Sequence, residues 1–305
     1  MIASEIVGQR LSIHASPQNY RLHFDHPHGK LYQGDAIDWL SSLESESIDL
    51  IFADPPYNLK KAHWDNFASQ EQYIDWSLKW IEQAARILKK QGTLYVCGFS
   101  EILADLKHPS MKFFKSCRWL VWHYKNKANL GHDWGRSHES ILHFRKTPKV
   151  RLNIDDIRIL YGTHTLKYPS HPQAKTSQYH QEKKGQDVWQ PHPKGAKPKD
   201  VIEIPTTCNG MNESTPHPTQ KPEALLRKFI LASSQAGDTV VDPFSGSGTT
   251  LVTAEQLGRR WLGCELDFQY NIWAMDRLDQ VQRMSVKEWI LYDKKIAERR
   301  AKARQ

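Results

Sequence analysis

Asp54-Pro55-Pro56-Tyr57 stands at the end of an apolar run, Ser47-Ile48-Asp49-Leu50-Ile51-Phe52-Ala53, that reads as a buried strand. Neither proline carries an N–H, so the turn offers carbonyl acceptors in a stiff backbone without donors competing for them. Tyr57 adds a flat ring. A carboxylate, a carbonyl and a stacking surface together suit one kind of ligand, a planar ring bearing an –NH2 group. The bland alternative is a proline turn that only closes a strand, and it weakens beside a second motif.

That motif is Asp242-Pro243-Phe244-Ser245-Gly246-Ser247-Gly248-Thr249-Thr250, which joins a strand to a helix. Its glycines permit a tight turn and close approach of a ligand to the backbone. No lysine follows Gly248, so a GxxxxGK[ST] phosphate loop is excluded, and Leu251 stands where a dinucleotide fingerprint needs its third glycine. A nucleoside site is what survives. Glu265 ends the next strand, 19 residues after Gly246, where an acid accepts hydrogen bonds from both ribose hydroxyls. Asp35 also ends a strand, in position to accept from the exocyclic amine of an adenine ring. The competing reading of this stretch is a tight turn beside a solvent-exposed acid.

These groups need a scaffold, and the texture of the chain supplies one. Lys30–Asp35 and Ser47–Asp54 read as strands, with a helical turn over Ala36–Leu43 between them. From Glu71 to Lys89, Ile74, Leu78, Ile81, Ala85 and Leu88 recur every three or four residues, one face of a helix. Gly92–Cys97, Arg118–Tyr124 and Ser140–Phe144 read as further strands. After Pro222 come a helix over Glu223–Ser234, a strand over Thr239–Asp242, a helix over Thr249–Leu257 and a strand over Trp261–Glu265. Strand–helix–strand order predicts parallel pairing with helices on both faces. Acids at the carboxyl ends of such strands converge where open α/β sheets bind ligands.

The segment between these halves differs. From Thr147 to about Val201 the periodicity fails, and Lys, His, Pro, Gln and Tyr dominate. It is too long for an ordinary connector, and its aromatics (Tyr161, Tyr168, Tyr179, Trp189) argue against pure disorder. The chain of 305 residues carries a formal net charge of +8. Twelve Lys/Arg against five Asp/Glu lie between Arg145 and Asp200, a surplus of seven, and a second basic run spans Lys294 to Arg304. A surplus this local points to a polyanion, nucleic acid first. The four cysteines are far apart, which argues for a reducing cytosol and against a zinc or disulfide framework. His23, His26 and His28 cluster without a recognised metal-ligand spacing. No run approaches the ~18 apolar residues of a membrane span, and Met1–Glu5 does not read as the start of a signal peptide.

The two motifs in this order resemble the β-class amino-methyltransferases of DNA, which transfer a methyl group from S-adenosylmethionine to an exocyclic base nitrogen. Asp54-Pro55-Pro56-Tyr57 is similar to the catalytic motif of that family, and Phe244-Ser245-Gly246-Ser247-Gly248 to its cofactor motif. His217-Pro218-Thr219-Gln220-Lys221-Pro222 matches the segment beside the cofactor's methionine moiety. Tyr57-Asn58-Leu59 with Lys61-Ala62-His63-Trp64-Asp65 looks closest to adenine-modifying members of restriction–modification systems. The resemblance spans roughly residues 30–280. One departure is Trp122-His123-Tyr124-Lys125, where the lysine comes third after the tryptophan and the family usually has it second.

The resemblance implies a doubly wound, mostly parallel α/β sheet of the Rossmann-like methyltransferase type. Residues 1–146 would form its catalytic half, 147–203 an inserted target-recognition region, and 204–305 the cofactor half with a basic C-terminal helix. It implies catalysis by Asp54, Pro55, Pro56 and Tyr57. Asp54 and the Pro55 carbonyl would accept from the target amine while Tyr57 stacks on a base flipped out of the duplex. The implied cofactor site is Asp35, Ala36, Asp54, Lys221, Asp242, Phe244, Ser245, Gly246, Ser247, Gly248, Thr249, Thr250, Glu265 and Leu266, with no metal. Double-stranded DNA is the implied substrate. A cognate endonuclease and a homodimer are partners expected by analogy. Adenine is favoured because members acting on cytosine usually carry serine where Asp54 stands. N4-cytosine methylation, RNA as substrate, and a nucleic-acid-binding protein without catalysis are the alternatives.

Overall fold

A computed structural model describes residues 19–58, 65–126, 132, 134–172, 188–208, 211–285, 287–292 and 295. Met1–Glu5, Lys61–Trp64, Tyr179 and, apart from Lys295, the basic run from Lys294 to Arg304 lie outside the described residues. In chain order the elements are β1 (Tyr20–His26), β2 (Gly29–Gly34), α1 (Ala36–Ser42), β3 (Ile48–Ala53), α2 (Gln70–Ile87), β4 (Leu88–Gly98), α3 (Ser100–Ser110), β5 (Ser116–His123) and β6 (His138–Arg145). After a single 3-10 turn follow α4 (Thr163–Lys167), β7 (His171–Pro172), β8 (Val188–Trp189), β9 (Val201–Glu203), α5 (Glu223–Ser233), β10 (Thr239–Asp242), α6 (Thr249–Gln256), β11 (Arg260–Glu265) and α7 (Phe268–Asp279). Among the described residues no helix is long and apolar enough to cross a membrane.

Nine strands form one sheet in the order β1-β2-β11-β10-β3-β4-β6-β5-β9. Side chains alternate across it with the period of two that a strand imposes. Leu50 and Phe52 of β3, Tyr95 and Cys97 of β4 and Val240 of β10 join α5, α6 and α7 on one face. Ile51, Ala53, Leu94, Val96 and Val241 meet α1, α2 and α3 on the other. β3 is therefore buried on both faces, as expected of a central parallel strand.

β2, β11, β10, β3 and β4 run parallel. The sheet is mostly parallel, as expected, and the exceptions are β1, antiparallel to β2, and β6, antiparallel to both β4 and β5. Among the described residues no helix separates β5 from β6, and without such a crossover a chain does not return to pair in the parallel sense. The reversal brings the first residues of β6 to the rim where the parallel strands end, with Gly98 opposite Ser140. β9 lies parallel to β5 at the outer edge, so the segment 147–203 gives its last three residues to the sheet. Its first residues are also tied down. The Asn153 side-chain amide donates to the Leu231 and Ser234 carbonyls behind α5, and Arg151 pairs with Asp238.

Candidate active site

The chain winds outward from β3 through β4, then returns to lay β10 against the other side of β3. Such a switch in strand order opens a crevice at the carboxyl ends. A cavity of about 1260 Å³ occupies that place, larger than the roughly 300–1,000 Å³ of an ordinary small-ligand pocket.

Of the residues predicted for the site, Asp35, Ala36, Asp54, Pro55, Pro56, Tyr57, Lys221, Asp242, Phe244, Ser245, Gly246, Ser247, Thr249, Thr250, Glu265 and Leu266 line this one cavity. Gly248 is not among its lining. At φ +79° it starts α6, and a Cβ there would stand 2.7 Å from the Ala274 Cβ, so its small size serves helix packing.

Each acid is fixed by local structure. Asp35 caps α1, its Oδ1 accepting from the Ile37 and Asp38 N–H groups, as Asp at an N-cap ordinarily does. Asp242 holds the glycine loop together, accepting from the Phe244 N–H at 3.0 Å and the Thr250 hydroxyl at 2.5 Å. Glu265 accepts from the Gly246 N–H and the Asp267 N–H, both at 2.8 Å. Burial pushes Asp242 and Glu265 each up to about 7, against the pull of these donors. Gly246 lies at φ +50°, and a Cβ there would approach His217 Nε2 to 3.0 Å. The His217 ring rests on Tyr270, with centroids 4.3 Å apart. Burial, then Lys221, lowers its imidazole to about 4, so it stays neutral.

Asp54 is already engaged. Its Oδ2 accepts from Lys221 Nζ at 2.5 Å, and its Oδ1 from the Tyr57 hydroxyl at 2.6 Å. Burial raises its pKa and Glu139 adds to the rise, while Lys221 opposes it. Burial alone would lower Lys221, but Asp54 and Glu139 more than offset it and hold the ammonium charged. Tyr57 therefore carries a second tie beside the flat face expected of it. Its ring meets Phe99 edge-on at 5.1 Å, and the Arg136 guanidinium lies over Phe99 at 3.9 Å.

Phe99, Tyr124, Arg136 and Glu139 line the cavity without having been predicted. Phe99 follows β4 directly, a position whose value was visible; Glu139 and Arg136 arrive only through the reversal of β6. The misplaced lysine of the Trp122 segment, Lys125, pairs with Glu203 at 2.7 Å and is more than half exposed. Tyr124 is the residue of that segment's end that reaches the cavity.

The insert offers exposed Lys149, Lys167, Lys197 and Lys199. Arg158 and Lys194 both pair with Asp155. His26, His28 and Glu255 do come together, their ligand atoms within 4.8 Å of one another. Arg283 and the Trp261 indole N–H already occupy the two Glu255 oxygens, each at 2.8 Å, so a cation there meets a competing guanidinium.

The sequence model of a family described as DNA methylase matches residues 48–275. The chain is 35% identical over 267 residues to the DNA adenine methyltransferase YhdJ of Escherichia coli, covering 85% of each chain. It is 35% identical over 257 residues to the type II methyltransferase M.HpaI of Haemophilus parainfluenzae, covering 82% of this chain and 74% of that one. Among solved structures, the cytosine-N4-specific PvuII DNA methyltransferase superposes with a TM-score of 0.62 over 86% of this chain and 89% of its own, at 20% identity. That last likeness concerns the fold.

Proposed function

The chain belongs to the DNA methylase family, and from that premise we propose that it transfers the methyl group of S-adenosylmethionine to the exocyclic N6 of an adenine flipped out of DNA. The observation that carries the reading is that the Asp54 turn and the Gly246 loop line one and the same cavity. The share of each chain matched by the E. coli adenine enzyme supports adenine as the base.

The lining suits the cofactor. A glycine at positive φ leaves room beside His217, and Asp35 just after β2 and Glu265 at the end of β11 offer carboxylates for an adenine amine and ribose hydroxyls. When bound, S-adenosylmethionine supplies an electrophilic methyl on a cationic sulfur. The chain's own task is to make an aromatic amine nucleophilic, since its lone pair is delocalised into the ring. Asp54 and the Pro55 carbonyl accept from the two amine hydrogens, and this draws the nitrogen towards tetrahedral geometry. Holding that nitrogen in line at ~3 Å is the larger part of catalysis. Phosphate contacts from the basic insert offset the few kcal/mol needed to flip the base.

The deciding assay is transfer of labelled methyl to unmodified DNA followed by nucleoside chromatography. N6-methyladenine is expected, and N4-methylcytosine as sole product would overturn the base assignment. Double-stranded DNA is the proposed partner and the cytoplasm the proposed compartment; a cognate endonuclease and a second copy of the chain rest on the family resemblance.

Two further results are expected. If about five phosphates are neutralised, DNA affinity falls several hundredfold between about 50 and 200 mM salt, at a slope near −0.9 per contact. A slope near zero would remove the electrostatic role of the insert. Cofactor affinity should also depend on pH. Glu265, poised at about 7, accepts ribose hydroxyls best when ionised, so binding tightens as pH rises through that value and levels off above it. Below it the loss approaches about tenfold per unit. Calorimetry on the wild type and Glu265→Gln separates this from Asp242, since only the Glu265 share disappears in the variant. An unchanged profile in Glu265→Gln would detach Glu265 from the ribose.

A further inference from the structure

The Tyr57 hydroxyl has one hydrogen and two carboxylate acceptors within reach. It stands 2.6 Å from Asp54 Oδ1 and 3.1 Å from Glu139 Oε2. The same Glu139 oxygen receives the Cys97 thiol at 3.4 Å and lies 3.5 Å from Lys221 Nζ. Three donors thus converge on one carboxylate oxygen, on a side chain 15% exposed. Burial, with the neighbouring carboxylates, pushes the phenol and the thiol well above their ordinary values, so both keep their hydrogens.

This arrangement meets a difficulty in the proposed reaction. Asp54 must accept from the target amine, and although each of its oxygens can take a second donor, Lys221 and Tyr57 already hold one each in a buried turn, so an amine arriving on Oδ1 competes with the Tyr57 hydroxyl. A buried donor displaced without a new acceptor costs about 1–3 kcal/mol. Only a donor with a second partner at hand can leave cheaply. Lys221 is the poorer candidate, because its departure removes the charge that keeps Asp54 ionised. Tyr57 can turn its O–H without moving its ring, since Glu139 is already at hydrogen-bond distance.

We propose that Glu139 is a positioning residue that accepts the Tyr57 hydroxyl hydrogen when the target amine takes its place on Asp54 Oδ1. The role rests on the methyltransferase reading above. Lys221 stays on Oδ2 throughout, so Asp54 meets the amine as a carboxylate. The groups facing Asp54 in this exchange are Lys221, Tyr57, Glu139 and, behind Glu139, Cys97. Glu139 touches neither base nor cofactor in this scheme; it acts through the tyrosine.

The test is a double-mutant cycle in single-turnover methyl transfer at saturating cofactor and DNA, with cofactor affinity measured alongside. Glu139→Leu should slow transfer at least about tenfold, because the hydroxyl then loses the only other carboxylate among the described residues that can take its hydrogen from Asp54. Cofactor affinity should be unaffected. Glu139→Gln, whose amide oxygen still accepts, should recover most of the rate. Adding Tyr57→Phe to Glu139→Leu should restore the rate of Tyr57→Phe alone, since no competing donor remains. A purely structural Glu139 predicts the opposite, losses that multiply in the double variant and weakened cofactor binding. If Glu139→Leu fails to fold, Glu139→Ala, which leaves room for water, takes its place in the same cycle. Multiplying losses, or a Glu139→Leu rate equal to wild type, overturns the proposal. Wild-type protein that transfers no methyl to DNA overturns instead the methyltransferase reading beneath it.

Discussion

Asp54→Asn is expected to lower methyl transfer by about two to three orders of magnitude, the usual effect of removing one group aimed at developing charge. Asparagine keeps the size of the side chain and one acceptor oxygen. It loses the negative charge that faces the positive character growing on the amine nitrogen, and charge-assisted hydrogen bonds are roughly twice as strong as neutral ones. That interaction is strongest in the transition state, so the loss falls on turnover and not on binding. The structure adds a second effect. Lys221, 7% exposed, has Asp54 and Glu139 as its carboxylate partners. Removing one partner of a buried pair ordinarily costs about 3–5 kcal/mol, but Glu139 remains 3.5 Å away, so the fold should survive with a lowered melting temperature. Labelled-methyl transfer, cofactor calorimetry and a thermal melt on the same sample separate these contributions. Near-normal turnover in Asp54→Asn or Asp54→Ala would leave the carboxylate as no more than a strand terminator.

Gly246→Val should abolish measurable cofactor binding, a weakening of at least about a hundredfold, through two additive causes. The backbone there is left-handed at φ +50°, which a β-branched residue strongly resists. The new Cβ would also press on His217 at 3.0 Å and fill the space a ligand must enter. The Gly246 N–H that Glu265 now accepts would shift with the loop. Gly246→Ala carries the strain with less bulk and should fall between the two. Calorimetry on folded protein decides it, and unchanged affinity in the valine variant would remove this loop from the cofactor site. Substitution at Gly248 has a different signature. Its Cβ collides with Ala274 on α7, so the melting temperature should move more than the affinity.

What was legible in the sequence follows from where the information is local. β3, β10 and β11 are short apolar runs closed by an acid, and each ends at the cavity rim where an acid after a parallel strand belongs. The glycine loop carries its own turn chemistry, so its place between β10 and α6 needed no long-range knowledge. β6 is different. His138–Arg145 alternates as any strand does, and nothing in that alternation states its direction. Read as parallel, its first residues sit at the far edge of the sheet; antiparallel, they put Glu139 beside Asp54. Lys221 is also invisible to local reasoning. It lies 167 residues from Asp54 in a Pro-rich loop, and only resemblance to a family brought it into the site. Asp35 and Glu265 were readable as acids at strand ends, but the N–H groups they serve in the loop and the α1 cap were not.

The place of β10 in the sheet bears on how the enzyme comes into being. Val240 and Val241 pair with Leu50 and Ile51, so the central seam joins segments separated by most of the chain. Contacts of such long range form slowly, because the intervening chain must first be closed into a loop. During synthesis the strands up to β9 emerge with one flank of β3 uncovered, and that flank stays open until the ribosome has made β10. The Asp54 turn exists early, but the loop that faces it does not. On the proposed site, a chain that stops short of β10 and β11 should therefore not modify DNA, and activity should begin only once both strands have joined the sheet.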